Sequence, residues 1–494
     1  MIPPKLVGNN GMHCKRRGSS SLPSPIVLQS SNAVLEESET AEVPFPGIDS
    51  ARELYPNWNV LFNGTLEVGE AVTHTLGYQI LGKPKASVEQ GGSKSNQKKL
   101  VGLFLHGGPG AGCFPNHARF FDPERYYRVV LLDQRGCGKS TPTGYLTDNT
   151  LQDLVNDCES LKLHLQIPHW DVVLGGSWGT TVAIAYCQSY PESVRSMILR
   201  GVFLFRPQEI DWLFSSTGGA AKKYPTVFQS FCEAVDVPDG VQAENDQEIS
   251  PLAALHEHTR RLWEAPTEAE RKKAAASWMR WEFFNSVAHK IPASANLTDS
   301  NATMQAIRSW KPPEVPPVVV MSKNNQNNDE RDWTYQSLDQ RVLPQAVLAP
   351  DLPNLSDDTG VQTKFRQDIS SGHSLDDPPR EAISITPKSG DQTTNLPVQA
   401  MLTSFYSSNC DYCRNGLNLL DPERMQQLEG IPTVMVQGGS DGICPPDSAL
   451  DLLDGWPKNG EIELRMPVHG GHSMYDPLVR NEILWAVDHM ADNL

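Results

Sequence analysis

Short apolar runs that end at glycine-rich turns recur along the chain. Leu100 to Leu105 precedes His106-Gly107-Gly108-Pro109-Gly110, Tyr127 to Leu132 precedes Asp133-Gln134-Arg135-Gly136, and Trp170 to Leu174 precedes Gly175-Gly176-Ser177. Met197 to Leu199, Thr433 to Val436 and Glu461 to Met466 are further runs of the same kind. Strands buried on both faces read as continuous apolar stretches rather than alternating ones. Between them, Leu151 to Leu165 and Thr180 to Ser189 carry apolar residues at helical spacing. This alternation predicts a mostly parallel sheet covered by helices on both faces. From about Gln208 to Asn285 the pattern changes to Trp, Leu and Phe at helical spacing with no strand-like run, which predicts an inserted helical block.

Two polar stretches frame these elements. Residues 1 to about 50 are polar and dotted with proline, and about Lys323 to Pro397 opens with Asn324-Asn325-Gln326-Asn327-Asn328. Such composition buries too little apolar surface to offset the entropy of ordering, so both are expected to be disordered. Gln90 to Lys99 reads as a hairpin or loop extension before a strand. The expected division is a tail over 1–50, a first core segment over 51–203, a mainly helical cap over 204–424 and a second core segment over 425–494. The polar insertion at about 323–397 falls within the cap, and is expected to lie away from the sheet. Loop closure entropy grows slowly with length, so a cap tolerates it.

Charge narrows the partners. The 494 residues carry a formal net charge of −17, which argues against nucleic acid and weakly against anionic membrane surfaces. No run of about 18 apolar residues suggests a membrane span, and no apolar segment near Met1 suggests a secretory signal. Before the first acidic residue, Glu36, come Lys5, Lys15, Arg16, Arg17 and Ser19-Ser20-Ser21, the composition of an organellar transit segment. No amphipathic helix accompanies it, so the expectation is a cytoplasmic protein, with an organelle as the alternative. Of the nine cysteines, Cys113, Cys137, Cys158, Cys187, Cys232 and Cys444 sit beside apolar or glycine-rich segments and read as reduced core thiols. Cys410 and Cys413 form a lone C-x-x-C with no second ligand pair nearby, so neither metal nor cofactor is expected.

Gly175-Gly176-Ser177-Trp178-Gly179 fits G-x-S-x-G, between an apolar strand and a helix. A nucleophilic serine needs a sharp strand-to-helix turn, so the residues two positions away must lack bulk. The turn exposes the Ser177 hydroxyl and aims the Trp178 backbone N–H at a developing oxyanion. This is the nucleophile elbow of the α/β-hydrolase fold, in which a second oxyanion donor comes from the loop after an early strand. Gly107 or Gly108 is that donor here, and His106 reads as structural. The acid and base should follow in chain order. Asp441 lies just past the Thr433–Val436 strand, and His472, in His469-Gly470-Gly471-His472-Ser473, just past the last one. His472 then takes the Ser177 proton while Asp441 orients the imidazole. His469 competes for the base role, and Asp447 and Asp451 compete for the acid role.

These motifs closely resemble the proline iminopeptidase (prolyl aminopeptidase) family of α/β-hydrolases. The matching strings are Arg52-Glu53-Leu54-Tyr55-Pro56, the HGGPG loop, Asp133 to Ser140, the elbow, Leu199-Arg200-Gly201-Val202-Phe203 and Gly471-His472-Ser473. They span about residues 51 to 320 and 398 to 494. Asp133 to Ser140 is the most specific, and read alone it is a structural loop shaping the sheet edge. The resemblance implies peptide substrates with N-terminal proline, whose charged imino nitrogen needs carboxylate partners once desolvated. It implies that Glu282, in Trp281-Glu282, is such a carboxylate, and that Arg200, Phe203 and Cys444 line the pocket. A second cap glutamate is expected where this chain has Thr403, and an aromatic pocket residue where it has Ser407. Asp411 would replace the missing carboxylate only if the register slips.

Two other readings stand beside a metal-independent aminopeptidase. Thr403 favours an esterase or amidase whose cap specificity has drifted. A non-catalytic binding protein of the same fold is the third, and the Ser177, Asp441 and His472 set argues against it. Epoxide hydrolase and dehalogenase chemistry would need Asp at the elbow.

Overall fold

Among the described residues the central sheet has nine strands, and its inner strands alternate apolar residues between two buried faces. A computed structural model describes residues 52–82, 100–237, 250–292, 294–297, 299–313, 318–323 and 397–494. The tail over 1–50, the stretch Gln90 to Lys99 and all but the ends of the insertion lie outside these described residues. The strands are β1 (Asn59–Val68), β2 (His74–Gly82), β3 (Leu100–Leu105), β4 (Tyr126–Leu132), β5 (Val172–Gly176), β6 (Met197–Arg200), β7 (Val318–Lys323), β8 (Thr433–Val436) and β9 (Ile462–Pro467), in the spatial order β1-β2-β4-β3-β5-β6-β8-β9-β7. From β4 to β9 the pairing is parallel, and β1, β2 and β7 add antiparallel edges. Leu103, Leu105, Val130, Leu132, Val173, Met197, Leu199 and Met435 point to one core. Phe104, Val129, Leu131, Val172, Leu174, Ile198, Val434 and Val436 point to the other.

Helices cover both faces. α1 (Leu151–His164) starts at a capping box in which Thr150 and Asp153 satisfy each other's backbone, and α2 (Trp178–Ser189) follows the elbow. Every residue of α2 from Trp178 to Gln188 is buried, which explains its lack of a polar face. The cap is α3 (Pro207–Phe214), α4 (Gly219–Lys223), α5 (Pro225–Glu233), α6 (Ala253–Glu264), α7 (Glu268–Val287), α8 (Ser300–Ser309), α9 (Val398–Ser408) and α10 (Cys410–Arg414). α11 (Pro422–Gln426), α12 (Asp447–Asp454) and α13 (Pro477–Asn493) return to the sheet. Phe205, Phe214, Trp278, Trp281 and Tyr406 belong to the same apolar cluster as Leu103 and Val173, so cap and sheet share one core.

One strand departs from the division expected above. β7 lies within the stretch assigned to the cap, yet it pairs antiparallel with β9 at the sheet edge. The insertion therefore starts from the end of a sheet strand rather than away from the sheet. Val318-Val319-Val320 is a run of β-branched residues, which is the signal for a strand. β1 and β2 were not expected either, because β1 is largely exposed and carries no continuous apolar run.

Candidate active site

Parallel strands gather the candidate residues at their carboxyl ends, the usual place for a site in an α/β sheet. At the end of β5 the chain turns through Ser177 with φ +55° and ψ −124°, outside the comfortable regions for a residue with a side chain. Such a residue costs about 1–3 kcal/mol and persists only where its neighbours over-determine it. Here the Ser177 N–H donates to the Arg200 carbonyl at 2.7 Å, and its own carbonyl accepts from the Thr180 N–H and hydroxyl, each at 2.7 Å. The flanking glycines are required by contact. A Cβ on Gly175 would lie 2.3 Å from the Gly179 carbonyl oxygen, and one on Gly179 would lie 2.1 Å from that of Leu105.

The candidate base and acid arrive from the ends of β9 and β8. His472 Nε2 stands 3.1 Å from Ser177 Oγ, and His472 Nδ1 stands 2.8 Å from Asp441 Oδ2. Because a carboxylate only accepts, Nδ1 carries the proton and the Nε2 lone pair faces the serine. Asp441 is buried, and its Oδ1 accepts from the N–H groups of Ile443 and Cys444 at 2.9 Å each. Gln437, which the sequence reading missed, completes this frame. It accepts from the Val202 N–H at 2.9 Å and donates to the Cys444 carbonyl at 2.7 Å, tying β6 to the acid loop. His469, the competing base, lies near His289 instead of at Ser177. Asp451 pairs with Arg206 at 2.8 Å, and both it and Asp447 lie in α12.

The HGGPG loop covers the serine from the β3 side. A Cβ on Gly107 would be 3.1 Å from Ser177 Cβ and 3.7 Å from its Oγ, a tight approach that a side chain could make only if its neighbours gave way. Gly108 adopts φ +114°. His106 frames the loop: its Nδ1–H donates to the Gly107 carbonyl at 2.8 Å, and its Nε2 accepts from the Gln134 N–H at 3.1 Å. Burial holds this imidazole below its usual pKa, and hence neutral. Gln134 also donates to the His106 carbonyl at 2.9 Å and accepts from Trp178 Nε1 at 2.8 Å. The Asp133–Ser140 string thus braces the two backbone segments nearest Ser177.

The pocket residues inferred from resemblance occupy different depths. Arg200 is buried behind the base, donating through Nη1 to the His472 carbonyl at 2.9 Å. Burial pulls its pKa down against the opposing pull of the Asp441 carboxylate. Cys444 is buried with Ser177 among its hydrogen-bond partners, and desolvation pushes its thiol well up. Phe203 is half-buried beside Phe205.

Glu282 sits on α7, half-buried, and accepts from Trp278 Nε1 at 2.9 Å and from Gln399 Nε2 at 3.3 Å. Desolvation pushes its pKa up to about 7 against the pull of both hydrogen bonds. Among the described residues no Lys or Arg pairs with it. Thr403 presents no charge: its hydroxyl donates to the Pro109 carbonyl at 3.1 Å, pinning α9 to the HGGPG loop. Ser407 is buried on the same helix, and Asp411 is tied to Arg414 at 2.9 Å. The residue that does reach Glu282 is Gln399, one helical turn before Thr403. Gln399 also packs against the HGGPG loop, since a Cβ on Gly110 would lie 3.2 Å from the Gln399 Cα.

The raised Glu282 value has a consequence for stability. The unfolded chain releases this proton near the ordinary glutamate value of 4.5, whereas the fold holds it to about 7. Stability is therefore lost as pH rises between those values and stays lost above. Glu282→Gln is expected to melt at a higher temperature than the parent at pH 8, and the gain should shrink at pH 5. Melting curves at the two pH values check this.

Fold and site together define a serine hydrolase of the α/β-hydrolase class, and the profile of the alpha/beta hydrolase fold matches residues 103–477. An Arabidopsis thaliana protein named proline iminopeptidase is 31% identical over 439 residues, covering 89% of this chain and 82% of its own. Proteins of that name from Xylella fastidiosa (strain Temecula1) and Xanthomonas citri are 39% and 38% identical over 231 and 238 residues, covering 47% and 48% of this chain. The chain spans 64% and 66% of the lengths of these two bacterial relatives. It belongs to the proline iminopeptidase family of α/β-hydrolases. No helix among the described residues is long and apolar enough to cross a membrane.

Proposed function

We propose that the chain is an aminopeptidase that releases N-terminal proline from peptides through an acyl-enzyme on Ser177. The observation that carries this reading is the Ser177–His472–Asp441 relay, together with Glu282, whose partner Gln399 packs against Gly110 of the HGGPG loop and which pairs with no Lys or Arg among the described residues. Ser177 Oγ attacks the carbonyl of the first peptide bond while His472 Nε2 takes its proton, and Asp441 stabilises the imidazolium. The N–H groups of Trp178 and of Gly107 or Gly108 receive the oxyanion. Collapse breaks the C–N bond, and His472 returns the proton to the leaving amine. Water then repeats the sequence on the acyl ester and frees proline.

Recognition falls to Glu282. The free carboxyl is half protonated near pH 7, and an N-terminal ammonium draws off that proton by pairing with it. Binding of amine substrates should therefore strengthen as pH rises through about 7, until the substrate amine itself deprotonates above roughly pH 8. Thr403 supports a second reading, an esterase or amidase with altered cap specificity, because it supplies a hydrogen bond to Pro109 where a second carboxylate is expected.

Proline-naphthylamide and a simple acyl ester, assayed side by side across this pH range, separate the two. The aminopeptidase predicts that kcat/KM for the naphthylamide rises more steeply than for the ester, and that Glu282→Gln removes the difference. Turnover of the ester alone, indifferent to Glu282→Gln, would sink the peptidase reading.

A further inference from the structure

The C-terminal end of α7 and the 3₁₀ turn Ala288–Lys290 after it press on the two loops that carry Asp441 and His472. Gly442 follows Asp441, and a Cβ on it would lie 2.6 Å from the Asn285 carbonyl oxygen. Trp212 of α3 holds the same loop by donating to the Gly442 carbonyl at 3.1 Å. Gly471 precedes His472, and a Cβ on it would overlap the His289 ring, 2.1 Å from Cε1. Close-packed contacts of this kind leave neither loop room to shift toward the helix.

A buried ionic cluster locks this arrangement. His289 Nε2 lies 3.0 Å and Lys290 Nζ 3.2 Å from Asp476 Oδ2, and the Asp476 side chain is fully buried. The other Asp476 oxygen caps α13 by accepting the Leu478 N–H at 3.1 Å. The Asp476 N–H closes a turn onto the Ser473 carbonyl at 3.0 Å, immediately after His472. Trp310 stands edge-on to the His289 ring at 5.5 Å. Glu282 and Asn285 are spaced i, i+3 on α7, and His289 lies in the 3₁₀ turn Ala288–Lys290 that follows it directly.

We infer that His289 is a positioning residue: through Asp476 and Gly471 it fixes the loop carrying His472 and couples the Ser177–His472–Asp441 geometry to the helix that bears Glu282. This rests on the roles proposed above for the three residues. It does not depend on proline being the substrate. A displacement of about 1 Å at a catalytic group can cost on the order of 100-fold in rate.

The test compares the full-length parent with His289→Ala and His289→Gln. Its readouts are the rate of fluorophosphonate labelling of Ser177, kcat and KM on proline-naphthylamide, and melting temperature. His289→Ala should slow labelling and kcat together by about tenfold or more, with KM changed less than about threefold. The Gln Nε2–H can still reach Asp476, so His289→Gln should recover most of the loss whatever its melting temperature. Labelling at the parent rate in His289→Ala overturns the inference, and so does an equal loss in both variants that tracks their melting temperatures. If His289→Ala does not fold, Asp476→Asn, which keeps the α13 cap, gives the decision by the same labelling criterion. Slowed labelling without any proline turnover would sink the peptidase reading and leave this inference standing.

Discussion

Ser177→Ala is expected to abolish turnover, with kcat falling on the order of 10⁴- to 10⁶-fold, and to abolish labelling by a fluorophosphonate. On the proposed mechanism the loss is large because the hydroxyl would form the covalent bond and no neighbour can take its place. Cys444 is the nearest alternative nucleophile, but burial keeps its thiol protonated. Residual catalysis would come from the oxyanion donors and from binding alone. Asp441→Asn should come within the same range, since an amide can donate to Nδ1 and so leave the wrong tautomer facing Ser177. Labelling followed by mass measurement, with single-turnover kinetics, checks both. Full labelling of Ser177→Ala would mean that another residue is the nucleophile.

Glu282→Gln should lower kcat/KM for N-terminal proline substrates on the order of 100-fold. Breaking a buried ion pair costs about 3–5 kcal/mol, and the partial exposure of Glu282 screens some of that. Most of the loss should fall on KM, because in the proposed complex the ammonium pairs with the carboxylate both before and during reaction. Gln399 limits any compensation. Its amide already donates to Glu282 at 3.3 Å, and a neutral carbonyl oxygen pairs with an ammonium more weakly than a carboxylate does. Steady-state kinetics on the naphthylamide and the ester measure the effect. The ester, which lacks the amine, should change little.

Much of the site could be read from the chain because its parts sit where strands end. The elbow, the HGGPG loop, Asp441 and His472 each follow an apolar run, and the run announces the strand. Residues that hold these groups in place left no comparable signal. Gln437 ties β6 to the acid loop across 235 positions, and Gln399 meets Glu282 across 117. Neither pairing has a local pattern, since both arise from how the cap folds back on the sheet. The helical spacing of α9 could have flagged Gln399, one turn before Thr403. His289 and Asp476 were invisible for the same reason, being 187 positions apart. β7 was absorbed into the cap because a short β-branched run beside a long polar stretch looks like linker.

The most direct test of the account is an N-terminal residue scan of dipeptide amides, with each substrate also supplied N-acetylated. Proline should be the preferred first residue, and acetylation should abolish its release by removing the charge that Glu282 is proposed to pair with. Equal rates across first residues, or undiminished cleavage of the acetylated proline substrate, would contradict it.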